Sequence, residues 1–434
     1  MASTDSQSED HRRRFAVETV CTLRRAGFET LWAGGCVRDH VLGKLPKDYD
    51  LASTATPDDV IRIFGRRRTV AVGASFGVVM VQGPDKAAGQ IEVATFRSDG
   101  DYLDGRRPSS VMFCRPEEDA RRRDFTINGM FFDPIDETVI DYVGGREDLA
   151  AGIVRAIGDP IARFTEDKLR MLRAVRFAAT FGFALDPATA AAVYHLRQQI
   201  SQISEERIAQ ELKRMLSHET RAHSFRLLIQ TGLFIEVFPE LNSEASGGKR
   251  DAERTLMERT LHYLISEQFE PAMALMLRSL HQPSLPPPKT AKIEAICRRL
   301  KLSNDEVDAI CWLAESLPIL SDIPRKPLHV RKPLLDHPYF EWLLQMSAAI
   351  AAAENRVAFD VDFCRNYVSS LRGSKLCPLP LVDGQDLKAR HVPEGPVFRV
   401  LLTKIRNEQL DEILTNRATA LERLNTLIAE SQGL

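Results

Sequence analysis

No apolar run in these 434 residues approaches the ~20 needed to cross a bilayer as a helix. That excludes an ordinary membrane-spanning segment. The opening stretch, "MASTDSQSEDHRRRF", has no apolar centre of the kind a secretory signal carries, and its acids are foreign to a transit peptide, so a cytoplasmic location is expected. Cysteine is sparse. The seven (Cys21, Cys36, Cys114, Cys297, Cys311, Cys364 and Cys377) are odd in number, scattered and free of C-x-x-C spacing, which excludes a disulfide framework and a zinc pattern and leaves reduced, mostly buried thiols. An excess of either charge is missing too: 58 Lys and Arg stand against 60 Asp and Glu, a formal charge of −2. Attraction to a polyanion must then come from local patches. No period of 20–50 residues marks a repeat protein.

What is present is ordinary globular composition, 44% hydrophobic and 27% charged, in a chain long enough for roughly two to four domains. Residues 12–27 have helical spacing, with Val17, Val20 and Leu23 at intervals of three and Gly27 as a stop. Five short stretches then read as strands, being β-branched or aromatic and bounded by Gly, Pro and Asp: "ETLWAGG", "DYDLAST", "RRTVAVG", "FGVVMVQG" and "GQIEVATFR". A helix from about Arg38 to Leu42 fits between the first two. Another fits "TPDDVIRIF", where Thr56 caps, Pro57 takes the first helical position and acids occupy the first turn. This predicts a mixed α/β domain to about residue 150. Beyond it strands nearly vanish. Thr165, Glu166 and Asp167 open a helix that carries Leu169, Leu172, Val175 and Ala179 and ends at Gly182, and helical patterns follow at 187–200, 204–217 and 220–231. "NSEASGGKR" (242–250) and "PSLPPPK" (283–289) read as exposed connectors, and the rest to Leu434 as helices.

Chemistry first shows at Asp48 and Asp50. Residues two apart on a strand share a face, so the two carboxylates stand together with Tyr49 turned away. Like charges that close repel unless a cation separates them, and Mg²⁺ suits, since it takes carboxylate oxygens and keeps positions for substrate phosphates. The plainer alternative is a solvated turn beside Pro46 and Lys47. Upstream, "AGGCVRD" supplies Gly34 and Gly35, where a ligand can approach the backbone, and Arg38 at a helix start; together they suit a phosphate. Arg106, Arg107, Arg115, Arg121, Arg122 and Arg123 form the one basic patch, which reads either as a binding surface or as a solvated face.

The stretches "GGCVRDHVLGKLPKDYDLAST", "IEVATFRSDGDYLDGRRPSSV", "RRRDFTINGMFFDPIDETVIDYVGGREDL", "RAIGDPIARFTEDKLRMLRAVRFAATFGF" and "SEERIAQELKRML" run almost unbroken over the first half of the chain. In that order they resemble the motifs of the class II tRNA nucleotidyltransferase and bacterial poly(A) polymerase superfamily. The tail from Leu381 to Leu421 is similar more faintly, and 240–375 matches nothing quotable. The resemblance implies an α+β fold: an N-terminal nucleotidyltransferase head of the polymerase-β-like α/β kind (1–150), then an all-helical neck with a nucleotide-selecting helix (151–240), body (241–375) and tRNA-binding tail (376–434). It implies addition of CCA to the tRNA 3′ end from CTP and ATP, without a nucleic-acid template, with release of pyrophosphate by two-metal catalysis. Addition of the terminal A alone, or of poly(A), are the alternatives. A non-enzymatic RNA-binding relative would have lost motif residues that are all present here, and a phosphohydrolase activity lacks its His-Asp dipeptide. No membrane or protein partner is implied.

Carried onto this chain, the resemblance makes Asp48 and Asp50 the Mg²⁺ ligands and catalytic acids. Glu92 is the candidate third acid, its alternative being an exposed strand carboxylate. Gly35 and Arg38 would bind nucleotide, Arg123 would contact the triphosphate, and Asp124 and Asn128 would help select ribose. Gly129 stands where the family has Ala, a small-for-small exchange. The segment between Arg97 and Arg121 matches the flexible loop by which the family passes from C to A addition.

Asp167 and Arg170 are three apart, which makes them neighbours on a helix face, and Arg173 and Arg176 extend that ridge. A surface ion pair is the bland reading. The functional one is a protein substitute for a complementary base: Arg donates only and ionised Asp accepts only. Cytosine offers O2 and N3 as acceptors with an N4 amine, and adenine offers N1 with an N6 amine. Both meet such an edge, whereas uracil lacks the amine and guanine presents the wrong order. The resemblance assigns this helix that role, with Arg173 and Arg176 near the nucleotide phosphates.

Overall fold

The computed structural model describes residues 2–73, 77–99, 111–242, 247–281, 290–370 and 375–432. Arg106 and Arg107, the middle of the expected flexible loop, and the centres of both expected connectors lie outside the described residues. Two compact units are found, Met1–Asn242 and Ser243–Leu434.

In the first unit, helix α1 (Ala2–Arg25) buries Phe15, Ala16, Val20 and Leu23. It begins ten residues before the apolar spacing does, because once that docked stretch is helical, each further polar residue adds a hydrogen bond without a new nucleation cost. Next come β1 (Thr30–Ala33), α2 (Gly35–Val41), β2 (Asp50–Ser53) and α3 (Pro57–Phe64). Thr56 caps α3 as expected, in a reciprocal box with Asp59. Strands β3 (Thr69–Gly73), β4 (Val78–Gln82) and β5 (Gln90–Thr95) complete the five expected. Four more were not expected: β6 (Arg97–Asp99), β7 (Val111–Phe113), β8 (Phe131–Asp133) and β9 (Thr138–Ile140), with α4 (Pro116–Arg121) between β7 and β8. Three-residue strands lie below the length at which alternation is readable.

Seven of these form one sheet in the order β3-β4-β5-β2-β1-β8-β9. Its pairings are antiparallel except β2 with β5, where Asp50 stands beside Glu92 and Leu51 beside Val93. The central strands bury Leu31, Leu51, Ile91, Val93 and Phe131. That apolar support fixes the register, and with it the place of the acids at the strand starts.

After α5 (Gly145–Ala151), β10 (Ile153–Val154), α6 (Pro160–Glu166) and α7 (Leu169–Phe181), the tiny β11 (Ala184–Leu185) pairs with β10. Helices α8 (Pro187–Leu196), α9 (Glu205–Leu216), α10 (Arg221–Gln230) and α11 (Leu233–Val237) close the unit. One expectation fails here. The helix predicted to open at Thr165 is two helices: Thr165 lies inside α6, and Asp167, with φ −141° and ψ 104°, breaks the run before α7.

The second unit is helical throughout its described residues, from α12 (Gly247–Tyr263) through α13 (Phe269–Leu277), α14 (Ala291–Arg299), α15 (Asn304–Leu320), α16 (Leu328–Leu335), α17 (Phe340–Ala353), α18 (Phe359–Ser370), α19 (Gly384–Lys388) and α20 (Pro396–Leu410) to α21 (Arg417–Gln432). Val382, Leu387, Leu401, Ile405, Leu424 and Leu427 give its last three helices a common core. Among the described residues no helix is long and apolar enough to cross a membrane.

Candidate functional site

The acids are held at the start of the central strand by what surrounds them. Asp50 opens β2, but Asp48 lies in a bend before it, so the strand carries one of the pair. The shared face survives because Tyr49 turns inward, 4% exposed, onto Trp32 at 4.7 Å between ring centroids. Among the described residues the carboxylates of Asp48, Asp50 and Glu92 take part in no ion pair. Crowding by protein, then the charges of Glu92 and Asp48, push Asp50 up to about 6 against the pull of Arg123. Burial also raises Glu92, against Arg97. Carboxylates that repel one another at an open cleft fit a hard divalent cation. Among the described residues no three His, Cys, Asp or Glu side chains converge on one point, so such a cation would draw its other ligands from water and nucleotide phosphate.

Beside the acids, Gly34 adopts φ 74° and ψ −128°, a conformation costly for any other residue. A Cβ there would meet Arg123 Nη1 at 3.3 Å, so the missing side chain is what lets that guanidinium lie across the turn. Arg123 and Arg122 are both held by Asp119, 1% exposed, at 2.8 and 2.6 Å. Burial would raise that carboxyl, but the two arginines outweigh it and hold it down. Arg38 is not at a helix start as expected, since α2 begins at Gly35. Its side chain is committed inward: Nε and Nη2 donate to Asp39 Oδ1, and Nη1 donates to Asn128 Oδ1 at 2.7 Å. Asn128 Nδ2 in turn donates to Asp124 Oδ1 at 3.1 Å, and Arg173 Nε donates to Asp124 Oδ2 at 2.9 Å. Burial alone would raise Asp124; Arg173 and Asn128 reverse that and hold it at about 2. Gly129 is no neutral exchange for Ala here, because a Cβ would lie 2.8 Å from Val143 Cγ2 and 2.9 Å from Ile157 Cδ1.

Asp167 and Arg170 both line the cleft, but their side chains are not each other's partners. Arg207 of α9 donates to both oxygens of Asp167, at 3.1 and 2.8 Å, and the Leu169 amide donates a third bond. Arg170 Nη1 donates to Glu166 Oε2 at 2.6 Å and to the Arg163 carbonyl, and Nη2 to the Arg122 carbonyl. Arg176 pairs with Glu211, 2% exposed, which also takes Arg214.

Together these residues line one cleft of about 730 Å³ with nine arginines and four aspartates. Every expected site residue lines it except Glu92, which stands beside Asp50 in the sheet register. Of the expected basic patch, Arg122 and Arg123 reach it, while Arg121 pairs outside it with Glu117. Missed were Arg97, Leu169, Arg207, Arg214 and Phe177 in the lining, and Asp119, Glu166 and Glu211 behind it. Asp119 had a readable signal, standing on the short helix α4 three and four residues before Arg122 and Arg123, which follow its end. Arg207, forty residues from Asp167, had none.

The Poly A polymerase head domain family matches residues 30–155, and the family described as probable RNA and SrmB- binding site of polymerase A matches 182–244. A CCA-adding enzyme of Geobacillus stearothermophilus is 43% identical over 219 residues, 50% of this chain and 53% of that protein. The chain thus spans about half the length of that relative. A CCA-adding enzyme of Enterococcus faecalis is 36% identical over 303 residues, 70% of each chain. The crystal structure of the Bacillus stearothermophilus CCA-adding enzyme in complex with CTP superposes with a TM-score of 0.73 at 29% identity, covering 96% of this chain and 98% of that one. An acid pair at the start of the central strand, a guanidinium-lined cleft and these relatives agree: this chain belongs to the nucleotidyltransferase family of CCA-adding enzymes and bacterial poly(A) polymerases.

Proposed function

We propose that this chain is a template-independent tRNA nucleotidyltransferase that adds CCA to the tRNA 3′ end from CTP and ATP, releasing pyrophosphate. The observation that carries the reading is the set of hydrogen bonds left over at Asp167 and Arg170. Asp167 has used three of its roughly four lone-pair positions. Arg170 has used three of its five N–H groups. One acceptor and two donors remain on two anchored side chains that line the cleft. Cytosine meets all three, and adenine meets the acceptor and one donor. Anchoring matters because a pair free to swing would accept a rearranged uracil edge as well.

A divalent cation such as Mg²⁺, held by Asp48 and Asp50, would supply activation of the RNA 3′-hydroxyl and neutralise the leaving pyrophosphate. The remaining work belongs to the chain. The Gly34–Gly35 turn admits the phosphates close to backbone, Arg123 lies across that turn to meet the triphosphate, and Arg173 and Arg176 carry positive charge along the α7 side. Asn128 reads the ribose through its second amide N–H, held by Asp124, whose oxygens already accept four bonds. Glu92 acts through its charge on Asp50. Residues 1–150 form the catalytic head and 151–240 the neck; 241–375 and 376–434 serve as body and tail that grip tRNA, chiefly through phosphates and so with strong salt dependence. A cytoplasmic location fits that substrate.

The test supplies tRNA ends lacking CCA, lacking only A, or complete, with Mg²⁺ and each nucleotide singly, then CTP with ATP. Addition of CCA to the first substrate supports the reading. Action only on ends lacking A replaces it with terminal-A addition, and long tails on unrelated RNA replace it with poly(A) addition. In the same assay Arg170→Ala lowers the preference for CTP over UTP by about 100-fold, the scale of a lost hydrogen-bonded edge. Full selectivity in that variant would sink the protein-template reading.

A further inference from the structure

Phe177 of α7 stands between the two ends of a polar chain. Arg38 donates to Asn128 at 2.7 Å, Asn128 donates to Asp124 at 3.1 Å, and Arg173 donates to the other oxygen of Asp124 at 2.9 Å. The chain begins and ends on an arginine, and both lie over the same ring: the guanidinium carbon of Arg173 is 5.2 Å from the Phe177 centroid and that of Arg38 is 5.6 Å. Arg176 covers the ring too, at 4.0 Å. A carboxylate in that position would compete for N–H groups already given to Asp39, Asp124 and Glu211. A phenyl face attracts all three cations through its quadrupole and accepts none of those bonds.

The ring is itself held. It meets Phe125 edge-on at 5.7 Å and stacks on Phe181 at 6.2 Å and 12°, and Phe181 supports Arg38 from 4.4 Å. Only 7% of Phe177 is exposed, yet it lines the cleft. The bonds that anchor Asp167 and Arg170 run instead to Arg207, Glu166, the Leu169 amide and two main-chain carbonyls, and none passes through this ring.

We propose that Phe177 is a positioning residue for sugar selection: by holding both terminal arginines of the Arg38–Asn128–Asp124–Arg173 chain, it fixes Asp124, whose oxygens already accept four bonds, and through it Asn128, whose second amide N–H reads the ribose hydroxyls. This rests on the nucleotidyl-transfer reading given above. Base choice and sugar choice then have separate supports, α9 and Glu166 for the first and the Phe177 face for the second.

The experiment compares kcat/KM for CTP, dCTP and UTP on tRNA lacking CCA, in the unmodified protein, Phe177→Leu, Phe177→Met and Phe177→Tyr. The Leu and Met variants lower the CTP:dCTP ratio by about tenfold, the scale of one partly desolvated cation–π contact, and keep the CTP:UTP ratio within about twofold. Phe177→Tyr, which keeps the aromatic face, retains both ratios. Equal falls in the two ratios, or an unchanged sugar ratio in Leu and Met, overturn the proposal. Asn128→Ala is measured alongside: if it leaves CTP:dCTP unchanged, the ribose assignment is what fails, and if the unmodified protein incorporates neither CTP nor ATP, the nucleotidyl-transfer reading fails and takes this inference with it.

Discussion

At the β2–β5 end of the cleft, Asp48 and Asp50, with Glu92 beside Asp50 in the sheet, have no ion-pair partner among the described residues, whereas at the α7–α9 end Arg170, Arg173 and Arg176 each hold a carboxylate. The difference separates two ways of preparing charge. The arginine end is preorganised: its acids have already set each guanidinium, so a nucleotide arriving there meets fixed dipoles that need no rearrangement. The acid end is left without an ion pair: burial first, then the charges of Glu92 and Asp48, lift Asp50 to about 6 against the pull of Arg123, and arriving positive charge relieves that. A site that takes its cation together with its triphosphate needs that asymmetry, because neutralising the acids with resident arginines would leave nothing to hold the metal.

The sharpest way to break the comparison is Asp50→Asn. Transfer falls by about a thousandfold or more, the scale of losing metal-assisted charge stabilisation. Stability should move the other way. A carboxyl whose pKa rises from 3.8 to about 6 on folding is harder to ionise in the folded chain, so its ionisation costs stability that is absent below pH about 4 and fully felt above pH about 6. Metal-free Asp50→Asn therefore melts slightly above the unmodified protein at pH 7 and level with it at pH 4. A variant that melts lower at pH 7 would mean that the acid end carries no strain.

The arginine end makes the opposite prediction at Asp124. Its carboxyl is held at about 2, below the value of 3.8 it has when unfolded, so it contributes stability that is fully present above pH about 4 and is lost as pH falls toward 2. Denaturant unfolding at pH 7 should find Asp124→Asn weaker by about 2 kcal/mol, a gap that narrows through pH 3. A gap that stays constant with pH would show that the Asn variant suffers from lost packing and that the ion pair with Arg173 contributes little.

How much of this was legible depended on how far apart the partners stand in the chain. The strand starts, the Thr56 cap and the acid pair were readable because alternation, capping and i,i+2 spacing are local. The helix break at Asp167 was hidden, since Glu and Asp after Thr165 look like a first turn. Only the pull of Arg207 and the Leu169 amide on that carboxylate makes the break worth its lost helical bonds. Arg38 reads as a phosphate ligand from "GGCVRD", yet Asn128, ninety residues on, turns it into a support for Asp124. Residues proposed to touch substrate thus announced themselves by type and spacing, as did Asp119 through the arginines three and four residues on, while Glu211 and Arg207, which hold such residues, owe their roles to tertiary contact.

The smallest predicted effect lies within the run Arg121-Arg122-Arg123, which the sequence presents as one basic patch. Helix geometry divides it. Asp119 reaches the residues three and four later, Arg122 and Arg123, and turns them to the cleft at side-chain exposures of 20% and 18%; Arg121 instead meets Glu117, with 66% of its side chain in water. An exposed i,i+4 pair is worth about 0.3–0.5 kcal/mol. The two main-chain carbonyls that Arg163 uses at Arg121 and Arg122 do not depend on the Arg121 side chain. Arg121→Ala should therefore shift the melting temperature by about 1 °C or less and leave kcat/KM for CTP within about twofold. A tenfold loss would mean that the patch acts by summed field rather than by the placed guanidiniums, and the contrast between a preorganised end and an uncompensated end would give way to one between net positive and net negative surface.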